Sequence, residues 1–592
     1  MSIVHEIKPL IGEVLKDLYA IDVDPEQLTI NSTKPEFEGD YTLVLFAFVK
    51  QLKQSPEQLG NSIGEKLVSD HPALFTKYNV IKGFLNLTIA DDYWISFLQK
   101  NHAAANFGSL GSNKRKVMVE YASPNTNKPL HLGHLRNIFL GWSVAEIMQY
   151  SGFEVYKTCI SNDRGIHICK SMVAWQQFGN GATPESTNTK GDHFVGDYYV
   201  LFGNEHKKQM AELIESGMSK EQAEKEAPIM KAAQQMLVDW EAGKPEVTAL
   251  WKKMNSWVYS GFDITYDRIG VGFDKVYYES DTYLLGKKAV EEGLAKNVFT
   301  KKEDGSVWID LTGDGLDEKV VQRKDGTAVY ITQDIGLAEE KQKEFGCEQS
   351  IYVVADEQNY HFKVLKLICE KLGVPGAEGI YHLSYGMVEL PTGRMKTREG
   401  TVVDADDMID EMVNVAKAKT EELGKVKDFT AEELKELYDT IALGALKFFL
   451  LRVDPKKRMV FNPEESIDFH GFTGPFVQYT HARIRSILRK QSGVSSHESL
   501  AGSLLKLEKD LIILLEQYPV FIEQAVTEHN PSVIAIYVFN LAKAFNTFYT
   551  EHSVLNAETE DKKTLRLQLS EMTANTIASG MKLLGIKVPN RM

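Results

Sequence analysis

The chain has 592 residues; 67 Lys and Arg against 82 Asp and Glu give a formal charge of −15 at pH 7, with 43% hydrophobic and 25% charged residues. That length exceeds one hydrophobic core and predicts three or four domains, and the composition is that of soluble globular protein. No apolar run approaches the 18 or so residues of a membrane helix, and the first residues lack the charged and apolar regions of a signal peptide. The four cysteines, Cys159, Cys169, Cys347 and Cys369, have no C-x-x-C spacing. This argues against a structural zinc site or a disulfide framework and fits a reduced, cytoplasmic enzyme. The acidic balance is not the usual footprint of nucleic-acid binding, although a local basic face suffices for it.

Residues 1 to about 110 read as a small α+β unit. An amphipathic helix (Ile7, Leu10, Ile11, Val14, Leu15, Leu18) is followed by strand-like runs at Tyr41–Val49 and Phe84–Ile89. Asn106–Lys116, rich in Gly, Ser, Asn and basic residues, reads as a linker. Val117–Tyr121 is then a short apolar strand. Pro124 and Pro129 hold the chain extended after it, and Leu132, Leu135, Phe139 and Trp142 recur at helical spacing. His131-Leu-Gly-His134 therefore falls where a strand turns into a helix, the place at which an open α/β sheet binds a nucleotide phosphate. Three residues apart on the first turn, His131 and His134 share a face and can donate to phosphate oxygens, and Gly133 lets a base or ribose approach the backbone. A bare pair of capping or core histidines would look the same.

Glu154–Ile160 is a second strand-like run; the turn Ser161–Gly165 after it either brings Asn162 and Asp163 to the same sheet edge or is a plain polar turn. Residues 178 to about 262, polar and then charged and helical, read as an insertion. The sheet resumes near Phe273. Gly326–Gly336 reads as a strand running into a helix, and Ile351–Ala355 as another strand, ending in Asp356-Glu-Gln358 before a helix from about Tyr360. Glu120, Asp334 and Asp356 thus bring carboxylates to one crevice, with Tyr330 and Gln358 as neutral partners. A planar guanidinium suits such a set better than an ammonium does. Gly393–Gly400 is a glycine-bounded loop with Arg394, Lys396 and Arg398, enough charge to neutralise a departing pyrophosphate, although solvated turns also look like this. Helical patterns follow from Ala405 to Phe449. After a Gly-Phe-rich hinge at 468–477, an all-helical domain opens with Arg483, Arg485 and Arg489 as a phosphate-contacting stripe or a solvated face.

The string Glu120-Tyr-Ala-Ser-Pro-Asn-x-x-Lys-Pro-Leu-His-Leu-Gly-His-Leu-Arg-Asn137 resembles class I aminoacyl-tRNA synthetases, and arginyl-tRNA synthetases in particular, with a likeness that extends over the whole chain. The family implies that 1–110 is an additional tRNA-contacting domain. It implies a Rossmann-like catalytic domain with a connective insertion at 111–475, whose connecting helices occupy about 405–475, and a helical anticodon-binding bundle at 476–592. It places Glu120, Ser123, Asn125, His131, Tyr330, Asp334 and Gln358 around arginine, and His131, Gly133, His134, Met395 and Lys396 around ATP. The 393–400 loop departs from the family's second signature, with Arg394 at the first lysine and Thr397 at the second. Some members with this loss carry a lysine just before the histidine pair, and Lys128 stands there.

The expectation is a multidomain α/β ligase, monomeric and cytoplasmic, that activates L-arginine with ATP and Mg²⁺ and transfers it to tRNA(Arg), with tRNA needed for activation. His131, His134, Lys128, Arg394 and Lys396 are its catalytic residues, and no dedicated metal site is expected. Another class I synthetase, a nucleotidyltransferase and a silent tRNA-binding relative are the rivals. An amino-acid panel, the chain length and the intact histidine motif respectively discriminate against them.

Overall fold

A computed structural model describes residues 2–34, 36–327, 329–391, 403–422, 424, 428–491 and 503–592. The central element is a five-stranded, all-parallel sheet. Its strands, in chain order, are β1 (Lys116–Glu120), β2 (Glu154–Ser161), β3 (Lys275–Tyr278), β4 (Gln349–Ala355) and β5 (Ile380–Tyr385). Across the sheet the order is β5-β4-β1-β2-β3. The order reverses between β1 and β4, so a crevice opens at the carboxyl ends of these two strands, beside Glu120 and Ala355.

Helix α1 (Leu132–Tyr150) follows β1 and lies over β1, β2 and β4. Its other side meets the helical C-terminal region: Ser143 Oγ donates to the Leu583 carbonyl (2.8 Å). Leu132, Leu135 and Phe139 are buried, but so are Arg136, Ile138, Ser143, Val144 and Ile147, which makes α1 a core helix wrapped all round and not a one-sided surface helix. Gly141 is required here, because a Cβ would come within 2.4 Å of Cβ of Tyr121, the residue just after β1.

The insertion is helical from Pro184 to Ile269, seven residues beyond its expected end; its longest helices are α2 (Gly191–Glu215) and α3 (Pro245–Ile269). Among the described residues, the strand expected to open the stretch Gly326–Gly336 is absent. The chain pairs instead at Lys319–Gln322 in a separate antiparallel sheet with residues 300–301 and 307–309. It then turns: Asp325 Oδ1 accepts from the Thr327 N–H (3.0 Å) and Gly326 takes φ +81°. Helix α4 (Tyr330–Phe345) starts at once, and Ile331, Ile335 and Ala338 are buried at helical spacing, so packing overrides the β-branched run. Helix α5 (Asn359–Leu372) follows β4 through a 3₁₀ turn at Asp356–Gln358.

Residues 2–101 form a four-stranded antiparallel sheet with flanking helices. Its second strand, Tyr41–Val44, stops before the expected Val49 because its partner begins at Phe84, opposite Val44; Phe46–Leu52 is helical. This unit docks on the C-terminal helices through the buried Glu516, which accepts from the Ile3 N–H (2.5 Å) and the Tyr41 hydroxyl (3.0 Å). The C-terminal region comprises α6 (Ala405–Glu422), α7 (Ala431–Leu451), α8 (Gly474–Arg489) and the helices beyond; α8 already runs at Gly474, capped by Thr473, inside the expected hinge. All four cysteines are free and buried. Among the described residues no helix is long and apolar enough to cross a membrane.

Candidate active site

At the end of β1 the chain makes an unusual turn, with Ala122 at φ 72° and Ser123 at φ 44°. Two non-glycine residues in the left-handed region need support from their surroundings, and Asn137 of α1 supplies it. Its Oδ1 accepts from the Ala122 N–H (2.6 Å), while its Nδ2 donates to the Val353 carbonyl of β4 (2.7 Å) and to the Tyr385 hydroxyl (3.3 Å). One buried amide thus ties the loop after β1 to β4 and β5 at the switch point. Asn125 then pairs with Asn162 at the end of β2, and Asn162 Nδ2 donates to the Ser123 carbonyl (3.3 Å). Asp163 does not face the crevice as a free carboxylate. It is buried and holds the Ser280 N–H and hydroxyl (both 2.8 Å) and the Tyr259 hydroxyl (2.9 Å).

His131 is the N-cap of α1 and His134 lies one turn in, their ring centroids 3.8 Å apart. The His131 N–H donates to His134 Nδ1 (3.1 Å). Because Nδ1 accepts, the neutral His134 carries its proton on Nε2, where it is a donor. Burial, with the charge of Lys128 adding to it, pushes His131 down to about 3 and His134 well below its ordinary value, so both rings are neutral at physiological pH. Burial lowers the Lys128 pKa too, and among the described residues its ammonium has no partner. Gly133 sits against the His131 ring, 3.0 Å from where its Cβ would be. Arg394, Met395 and Lys396, with the loop they belong to, lie outside the described residues.

The second half of the site is acidic. Tyr330 and Asp334, four residues apart, share a face of α4 and are helix-borne, not at a strand end. Asp334 Oδ2 pairs with His361 Nε2 (2.6 Å), and the Asp334 charge, then burial, pushes the Tyr330 hydroxyl above its ordinary range although the residue is 62% exposed. Gln358, exposed at the end of the 3₁₀ turn, is three residues from His361. Glu120 is buried and ion-paired with the buried Lys341 of α4, which lies over the rings of Tyr277 and Tyr352. Asp356 is turned toward Arg458 at 3.9 Å. Glu279, at the end of β3, is a member that the sequence patterns did not reveal. Burial raises its pKa, partly offset by Arg164, and the charges of Asp163 and Asp334 raise it further; among the described residues it has no hydrogen-bond partner. Its position just past a parallel strand was the available signal.

Asp192, His193 and Asp406 converge closely enough to hold a cation. The place is taken by the Lys190 ammonium, 2.6 Å from Asp406 Oδ2 and 3.1 Å from Asp192 Oδ2, so these residues do not fit a resident metal. In the C-terminal region, Arg483 donates to Asn546 (2.6 Å), Arg485 to His481 (3.2 Å) and Asn575 (2.9 Å), and the exposed Arg489 to the Asn590 carbonyl (2.9 Å).

A Rossmann-type sheet with a histidine pair at its switch point and a helical C-terminal region defines a class I aminoacyl-tRNA synthetase. The family model for "tRNA synthetases class I (R), catalytic domain" matches residues 98–462, that for the arginyl tRNA synthetase N terminal domain residues 5–89, and that for the DALR anticodon binding domain residues 477–592. The chain is 54% identical to an arginine–tRNA ligase of Bacteroides fragilis, with 98% of both chains covered, and 53% identical to one of Flavobacterium psychrophilum, with both covered fully. The Thermus thermophilus arginyl-tRNA synthetase structure superimposes with a TM-score of 0.82 at 26% identity, covering 99% of this chain and 100% of that one. The chain belongs to the arginine–tRNA ligase family.

Proposed function

We propose that the two halves of the crevice perform the two parts of one ligation, with the acidic half holding L-arginine and the histidine half holding ATP. The carboxylate of arginine attacks the α-phosphorus; the bond to the β-phosphate oxygen breaks, and pyrophosphate leaves from arginyl-adenylate. A hydroxyl of the 3′-terminal adenosine of tRNA(Arg) then attacks the carbonyl carbon and AMP leaves. No protein nucleophile takes part, so the protein contributes position and charge.

The observation that carries this reading is the contrast in charge between the halves. Asp334, Tyr330 and Glu279, with Gln358 at the rim, suit a guanidinium. Glu120 keeps its second oxygen for the substrate while Lys341 balances the first. Ser123, Asn125 and His131 line the path from there to the phosphate, where neutral His134 donates from Nε2. Lys128, three residues before His131 and without a partner among the described residues, supplies the charge that the altered second signature lacks. Arg394, Met395 and Lys396 complete the nucleotide site, and Mg²⁺ enters with ATP. We assign 1–110 to outer tRNA contacts, 111–475 to chemistry and 476–592 to the anticodon arm; there Arg483, Arg485 and Arg489 keep spare N–H donors for phosphates. We take the enzyme to be a cytoplasmic monomer; four free, buried thiols support the reducing compartment.

Arginine-dependent ATP–pyrophosphate exchange tests this, run with and without tRNA(Arg) and with lysine, glutamine and cysteine as controls. Exchange with arginine alone, appearing on addition of tRNA, is the expected result. Activity without tRNA removes the coupling between the substrates, and silence from folded protein under both conditions refutes the assignment.

A further inference from the structure

The insertion touches the histidine segment through a charged cluster that the chemistry above does not use. Where the described chain resumes at Val403, it pairs antiparallel with that segment. The Leu132 N–H donates to the Val403 carbonyl (3.3 Å), Asp404 is bridged to His131, and the Ala405 N–H donates to the Leu130 carbonyl (2.9 Å). The backbone of His131, which caps α1 and bonds His134, therefore rests on residues 403–405.

Those residues are in turn held from the insertion. His193 Nε2, near the start of α2, lies 3.1 Å from Asp406 Oδ2 and 3.4 Å from Asp404 Oδ2. Lys190 Nζ meets Asp406 Oδ2 at 2.6 Å, Thr265 Oγ1 of α3 at 2.6 Å and Asp192 Oδ2 at 3.1 Å. Asp404 also caps α6, its Oδ1 accepting from the Asp406 (2.8 Å) and Asp407 (3.2 Å) N–H groups. One turn along α2, Gly196 lies against Pro129, so the same helix braces the histidine segment from its other end.

We propose that Lys190 and His193 are positioning residues for adenylate formation: through Asp404 and Asp406 they fix the His131 backbone and hence the aim of the histidine pair. Misplacement of reacting groups by a fraction of an ångström is costly, so the effect falls on the chemical step and not on arginine affinity. The groups facing His193 are Lys190, Asp192, Asp404 and Asp406, with the charge of Asp197 on its own helix close by. The hydrogen bond to Asp406, ahead of the opposing effect of burial, raises the His193 pKa above its ordinary value. The charged pair is accordingly present at and below that raised value and is lost as pH rises through it.

The proposal rests on adenylation as the first reaction, which wild-type exchange checks separately. His193→Ala is expected to lower kcat for exchange by about tenfold or more while KM for arginine stays within about twofold. The double variant His193→Ala/Asp406→Asn should be no worse than the poorer single one, since both break the same contact. His193→Gln, which keeps a donor but not the charge, guards against a variant that fails to fold. It should retain more activity and lose the alkaline fall in kcat that deprotonation of His193 produces; Lys128 is common to both chains, so the difference between the profiles reads His193. Wild-type exchange with an unchanged kcat and pH profile in His193→Gln overturns the proposal. A parallel loss of kcat, arginine affinity and melting temperature in both variants also overturns it, as the mark of a merely structural contact.

Discussion

The two ends of the crevice solve opposite electrostatic problems by opposite means. At the phosphate end, burial strips the histidines of charge: His131 and His134 are neutral, and Lys128, three residues before His131, has no partner among the described residues. An arriving anion then meets N–H groups that need no reorganisation. At the amino-acid end Lys341 pairs with Glu120 and His361 with Asp334, while among the described residues Glu279 has no hydrogen-bond partner. An arriving cation completes that pairing. Ground-state affinity for arginine should therefore lie at one end and transition-state stabilisation at the other, so the two ends should fail differently when broken.

The largest effect is expected from Asp334→Asn. Removing a carboxylate from a desolvated guanidinium site costs about 3–4 kcal/mol, a several-hundredfold rise in KM for arginine; steady-state kinetics with each substrate varied in turn measures it. His134→Ala should lower kcat about a hundredfold, on the order of 3 kcal/mol, and leave KM for arginine nearly unchanged. A rise in that KM of the size seen for Asp334→Asn would merge the two ends into one. Glu279→Gln should raise KM for arginine about tenfold, less than Asp334→Asn, because a neutral amide still accepts a hydrogen bond. An unaltered KM would remove Glu279 from the site.

The smallest effect separates charge from function at the histidine end. His131 titrates at about 3 in the folded chain and His481 at about 4. As pH falls below about 6.5, the unfolded chain takes up protons that the folded chain refuses, so stability declines progressively toward these values. Thermal unfolding between pH 7.5 and 5 should show a melting temperature that drops by a few degrees. Exchange activity should show no inflection near 6.5 from the two signature histidines, and an inflection there that vanishes in His131→Asn would mean that they are charged in the free enzyme.

The histidine end was legible in the sequence because its signals are local. Two prolines, a strand and a helical repeat within about 25 residues leave little choice of geometry, and β1, α1, β2 and β4 fall where patterning puts them. The acidic end was legible as composition but not as structure. Gly326–Gly336 reads as a strand running into a helix by residue type, yet the turn at Asp325–Thr327 and the core contacts of Ile331 and Ile335 make the chain helical from Tyr330. Long-range partners left no trace in the pattern: Lys341 on Glu120 bridges 221 positions and Asn137 on Val353 bridges 216. Asp163, expected at the crevice, was lost to Tyr259 and Ser280 for the same reason, since a polar turn residue does not announce whether its partner is substrate or protein.

The central claim is that arginine and ATP are held by separate halves of one crevice, and equilibrium binding to Asp334→Asn tests it most directly. With tRNA(Arg) present, titration calorimetry of arginine and of ATP into the variant should show arginine affinity reduced by about a hundredfold or more while the Kd for ATP stays within about twofold of wild type. Equal loss of both affinities would show that Asp334 supports the fold of the whole crevice, and the division into a cation-binding and an anion-binding half would fall with it.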